Sequence, residues 1–160
     1  MQGKSVTLTI DYRLTGVGWA KCTIAADGRD CTVSASYLSD ALGNLVLAAA
    51  TVMADAHSIS IGFDEEPGEY RWSIVRTGNS VVEVKILSFG DLWGNQPDAE
   101  GEPLLAFSCT PLEFGRAVRD AADAVLKEHG LPGYKERWVR YDFPTKQLDL
   151  LTSYLSPRNE

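Results

Sequence analysis

Carboxylates are the groups in this chain dense enough to do chemistry, and they gather in two short segments. The first is Asp64-Glu65-Glu66-Pro67-Gly68-Glu69; the second runs from Asp91 to Glu102 and carries Asp91, Asp98, Glu100 and Glu102 without a Lys or Arg. Two carboxyl groups held within several ångströms can divide acid and base roles, or ligate a divalent cation. Glu66 and Glu69 at a hairpin tip, with Asp91 across the sheet, are the set from which a small carboxylate-dependent enzyme would be built. The spacing matches no calcium loop and no histidine accompanies the acids, so no catalytic, cofactor or metal residue is assigned. Solvated turn charge is the ordinary alternative.

Other nucleophiles and bases are scattered. His57 follows a helix end, and His129 falls in the last turn of a helix, where its positive form suits the dipole. Cys22, Cys31 and Cys109 are an odd set with no CxxC spacing, which argues against zinc and against a disulfide framework. Cys22 and Cys31 flank Asp27-Gly28, a two-residue hairpin signal. That turn sets Ile24 opposite Cys31 and Cys22 opposite Val33, so the thiols lie diagonally and are poorly set for a bridge. Gly16-Val17-Gly18 precedes a strand instead of following one, and reads as a turn and not as a phosphate loop.

Alternating strands must position these groups. Val6, Leu8, Ile10 and Tyr12 alternate with Thr7, Thr9, Asp11 and Arg13, and further strands are expected around Trp19 to Ala25 and Cys31 to Ala35. Leu38, Ala41, Leu42, Leu45, Ala49, Val52 and Met53 recur at helical spacing and predict one apolar stripe, with Ser36 as N-cap. Alternation resumes in Ile59-Ile61-Phe63, Tyr70-Trp72-Ile74 and Val82-Val84-Ile86, with turns at Pro67-Gly68 and Gly78-Asn79. A strand from Leu104 to Cys109 ends at Thr110-Pro111-Leu112-Glu113, a capping box with proline at the first helical position. The helix it opens presents Phe114, Ala117, Val118, Ala121 and Val125 inward and stops at Gly130 before Pro132. An aromatic and basic segment, Tyr134 to Phe143, precedes a last helix near Pro144 that carries Leu148, Leu151 and Leu155. The expected fold is α+β: one antiparallel sheet of six to seven strands with two to three helices packed on it, in a single domain over 1–160 whose tail from 156 frays.

The chain has 160 residues, 44% of them hydrophobic and 23% charged, a balance that supports a core and speaks against extensive disorder. A formal charge of -7 disfavours nucleic acid and anionic membranes and favours a basic protein partner. The first residues lack the apolar region of a secretory signal, and the longest apolar stretch, Leu45 to Ala50, falls far short of the roughly 20 residues that span a bilayer. A cytoplasmic location is expected.

As an interaction surface the same acids gain aromatic neighbours: Trp93 lies inside the second segment, and Tyr70 and Trp72 adjoin the first. Interfaces favour a few aromatic anchors, with charge setting encounter rate and partner choice. In the alternative, Trp93 plugs the core. Phe63 to Trp72, the hydrophobic strand that ends at Phe89, and the later Tyr134-Lys135-Glu136-Arg137-Trp138 resemble small acidic bacterial proteins of the immunity type that accompany secreted polymorphic toxins. That resemblance implies a stoichiometric inhibitor of a cognate basic toxin domain, without catalytic function or cofactor. The surface expected to make contact comprises Asp64, Glu65, Glu66, Glu69, Asp91, Trp93, Asp98 and Glu100. A homo-oligomer joined through a sheet edge or Trp93 is a further alternative.

Overall fold

The computed structural model describes residues 7–65, 68–91 and 95–156. The chain is α+β, but among the described residues seven strands form two antiparallel sheets and not one. The first is a meander of β1 (Leu8–Gly16), β2 (Trp19–Ala26) and β3 (Arg29–Ser36). After helix α1 (Ala41–Met53) comes the second, β4 (Ser58–Asp64), β5 (Glu69–Gly78), β6 (Val81–Phe89) and β7 (Glu102–Cys109), in that order. Helix α2 (Pro111–Trp138) and helix α3 (Thr145–Leu155) complete the chain.

The single sheet fails at β3 and β4. The helix between them redirects the chain, so the strands meet through a side chain: the buried Ser36 hydroxyl donates to Asp64 O at 3.0 Å. The outer end is closed in a similar way, with Arg29 Nη2 donating to Ala106 O on β7 at 2.7 Å. An aromatic column joins the sheets. Tyr12 meets Phe63 edge-on with centroids 6.3 Å apart, Phe63 meets Trp72 at 5.6 Å, and Trp72 meets Phe114 of α2 at 6.4 Å.

Local signals explain much of this. Asp27 and Gly28 both take positive φ, 53° and 81°, as a two-residue hairpin turn of this hand requires. The resulting register pairs Cys22 with Val33 and Ile24 with Cys31. At α2, the Thr110 hydroxyl accepts from Glu113 N at 3.0 Å while the Glu113 carboxylate accepts from Thr110 N at 2.8 Å. That reciprocal cap is the one expected from the sequence.

Three local expectations need correction. The N-cap of α1 is Asp40, whose Oδ1 accepts from Gly43 N at 3.2 Å, because β3 extends through Ser36 and a turn must intervene. Helix α1 is also not amphipathic in the expected way. Nine of its 13 residues are buried, since it is enclosed by β4, α2 and α3 and its alanines permit close approach. Its C-terminal carbonyls are met by Arg76 of β5, whose Nη2 donates to Val52 O at 3.0 Å, a cation where the helix dipole favours one.

The third correction concerns Gly130. It does leave helical geometry, with φ 69° and ψ 174°, yet the helix resumes at once and runs to Trp138. Pro132 falls in the first turn of the resumed segment, where its missing N–H costs nothing. Tyr134 and Trp138, one turn apart, are both fully buried and give that segment its reason to fold. It ends in a γ-turn at Val139, φ 75° and ψ -64°, with Arg140 N donating to Trp138 O at 2.9 Å. This conformation is strained for a β-branched residue. It is held by the buried Trp138 and by Gly18 N, which donates to Arg137 O at 2.6 Å.

Candidate functional site

The antiparallel register brings the two acidic segments to one end of the four-stranded sheet. Asp64 pairs with Glu69, and Glu69 pairs in turn with Phe89, so the β4–β5 turn and the β6–β7 connection leave the sheet side by side. Glu65 N donates to Gly68 O at 2.9 Å and closes the first turn. A Cβ on Gly68 would lie 2.3 Å from Phe89 O, so glycine is what lets this turn sit against the start of the second segment. Glu66 and Trp93 lie outside the described residues, as do Pro67, Leu92, Gly94 and Val6 of the first expected strand.

The β6–β7 connection then folds back over the outer face of the sheet. Gly101 packs on the Phe89 ring, where a Cβ would come within 2.7 Å of a ring carbon. Arg71 is the fastening. Its Nη1 donates to Gln96 O at 2.6 Å and to Asp98 Oδ1 at 2.9 Å, and its guanidinium lies 4.1 Å from the centre of the Phe89 ring. The second segment, free of cations in sequence, is therefore compensated at Asp98 by a residue from β5. Alternation was the signal that could have found it: Arg71 stands two residues after Glu69, on the same face of the strand.

The remaining acids differ in setting. Asp91 and Glu100 are exposed, and Glu100 closes a short 3-10 turn, Asp98–Glu100. Asp64 and Glu69 converge above Gly62, whose absent side chain leaves room for Glu69 Oε2 and Asp64 Oδ1. Partial burial pushes the Glu65 carboxyl above its ordinary value. Beside it, burial and then the Glu65 charge push the Tyr70 hydroxyl up, while a hydrogen bond with Ser34 pulls it down. Trp72, a sequence candidate for an aromatic anchor, is fully buried in the core instead.

The cysteines are not set up as thiolates. Burial pushes Cys109 up to about 12 and Cys31 to about 11, with Glu113 and Asp30 adding to the respective shifts, so both stay protonated at neutral pH. Cys22 is buried and shifted further in the same direction. His57 is exposed, and the charged neighbour of His129 is Glu128, 3.8 Å from its Nε2. Among the described residues, no group of three or more His, Cys, Asp or Glu is arranged to hold a metal ion. None of the described helices is long and apolar enough to cross a membrane.

These features define an α+β protein with two antiparallel sheets and an acidic end. Comparison of the chain with protein-family models, curated proteins and solved structures gave no match.

Proposed function

We propose that this chain is a non-enzymatic binding protein of the immunity type, acting in the cytoplasm, which neutralises a cognate basic toxin by stoichiometric binding. The contact surface is the acidic end: Asp64, Glu65, Glu69, Asp91, Asp98 and Glu100, joined by Glu66 and Trp93 of the same two segments. One observation carries the reading, the shared register row of Asp64, Glu69 and Phe89, from which both acidic segments emerge together. Charge gathered on one end steers an oppositely charged partner and sets its orientation at encounter. The fastening by Arg71 favours binding by a rigid surface, since a connection held at both Gln96 and Asp98 loses little freedom on association.

The test begins with affinity capture of the tagged chain from its native host at low and moderate salt, with mass spectrometry of what is retained. A single basic partner at near-equal stoichiometry is expected. Glu65→Lys with Glu69→Lys then slows its association by about tenfold or more at low salt and flattens the salt dependence. Unchanged association kinetics in that variant would remove the acidic end from the interface.

A further inference from the structure

Away from the acidic end, a cleft of about 480 Å³ opens where the start of α1, the 131–138 segment and the start of α3 meet. Asp40, Leu131, Tyr141, Asp142, Phe143 and Lys146 are among its lining residues. Asp40 is half-buried and caps α1 through Gly43 N, and no ion pair compensates it among the described residues. Burial raises its carboxyl above the ordinary value, the Gly43 bond opposing that shift only in part.

Behind the Phe143 wall lie aromatic and polar groups that do not line the cleft themselves. Tyr134 is fully buried, with its ring 5.4 Å edge-on from Phe143 of the cleft wall and 6.5 Å from Trp138. Trp138 Nε1 donates to Ser39 O at 3.2 Å, next to Asp40 in the chain. The hydroxyls of Tyr134, Tyr12 and Ser39 are buried without a hydrogen-bond partner. Burial pushes both tyrosines up, and the Asp40 charge adds to each, so both rings stand within electrostatic reach of that carboxylate.

The rim narrows the ligand class. Asp142 is held by Lys135 at 3.3 Å, which leaves Asp40 as the carboxylate without a cation and Lys146 as a weak barrier at the edge. An anion would meet Asp40, and an apolar ligand would leave that carboxylate uncompensated. Aromatic side chains at Tyr141 and Phe143 suit a cation, and a planar guanidinium above all. We propose that this cleft binds one organic cation of the guanidinium or alkylammonium class, with its charge against Asp40 and its carbon skeleton against Leu131, Tyr141 and Phe143. The site is separate from the acidic end and does not depend on the function assigned to it. The same chemistry is offered by a free amine and by an arginine side chain of a protein partner.

Amide NMR titrations of the full chain with agmatine, with the blocked peptide acetyl-Gly-Arg-Gly-amide, and with neutral butylurea test this. Saturable shifts centred on Asp40, Leu131 and residues 141–147 are expected with at least one of the cations and not with butylurea. Tighter binding of agmatine identifies a free amine as the natural ligand; tighter binding of the peptide identifies a protein side chain. Asp40→Asn keeps an N-cap and is expected to weaken binding about tenfold or more. Lys146→Gln leaves the cap untouched and is expected to tighten binding about twofold by removing a like charge. No saturable shift with either cation up to about 10 mM, a Kd bound that already lies at the weak edge of specific binding, overturns the proposal. So does equal affinity in folded Asp40→Asn together with an unchanged affinity in Lys146→Gln.

Discussion

The acidic end and the Asp40 cleft carry charge of the same sign under opposite conditions. At the acidic end, carboxylates crowd together in sequence, face solvent in the main, and are fastened by Arg71 through Asp98. In the cleft the Asp40 carboxylate is half-buried and makes no ion pair among the described residues. Surface charge is screened and shared, and so acts mainly at long range. A partly desolvated charge is felt at short range and rewards a ligand that fits. Density of acids along the chain therefore marks the region proposed to attract a partner, while burial marks the one proposed to hold a small cation.

The largest effect that would separate the regions lies beneath them. Trp138→Ala removes the support of Tyr134 and the hydrogen bond to Ser39 O, and should cost about 3–5 kcal/mol in urea unfolding. Arg71→Ala, the corresponding lesion at the acidic end, should cost about 1.5–3 kcal/mol, because it releases Gln96 O and Asp98 from a charged donor. Arg71→Lys should restore only part of that loss, since an ammonium does not lie on the Phe89 ring as a guanidinium does. Equal costs for Trp138→Ala and Arg71→Ala would mean that the cleft lacks a packed floor of its own.

Asp40→Asn sharpens the comparison through pH. Burial raises the Asp40 carboxyl in the folded chain, so the folded state binds the proton more tightly than the unfolded state. Wild-type stability should then fall as pH rises from the ordinary aspartate value through the raised one, and level off above it. Tyr12, Tyr134, Asp142 and Lys146 share the neighbourhood, but neither Tyr hydroxyl ionises in that range, both being shifted upward. The variant should lack this segment of the pH profile and gain on the wild type as pH rises, as thermal unfolding across the acid range would read out. The opposite slope would mean that the Gly43 hydrogen bond outweighs burial. The smallest effect is expected at Glu100, exposed on its 3-10 turn: Glu100→Gln should change stability at neutral pH by less than about 0.5 kcal/mol in urea unfolding.

Legibility in the sequence followed the range of the interaction. The Asp27-Gly28 turn fixed the pairing of Cys22 with Val33, and Thr110 with Glu113 announced the start of α2, because both devices close within a few residues. Gly130 was readable as a break, while the return of the helix after it was not: that depends on burying Tyr134 and Trp138 against distant strands. Of the acidic candidates, Asp64 and Glu69 stand at one end of the sheet beside the start of the second segment, whereas Asp98 is carried back over the outer face and held by Arg71, 27 residues away in the chain. Asp40 carried no signal beyond that of an ordinary helix cap.

By itself, then, the sequence determined the α+β class, the strand alternation, the hairpin register and the net charge, all of which arise from side-chain period, turn chemistry and composition. Only the tertiary structure decided that the strands divide into two sheets, that α1 is enclosed, that Arg71 faces Asp98, and that Asp40 borders buried hydroxyls. Those outcomes depend on which distant surfaces pack together, and burial sets the strength of each charge once they have packed.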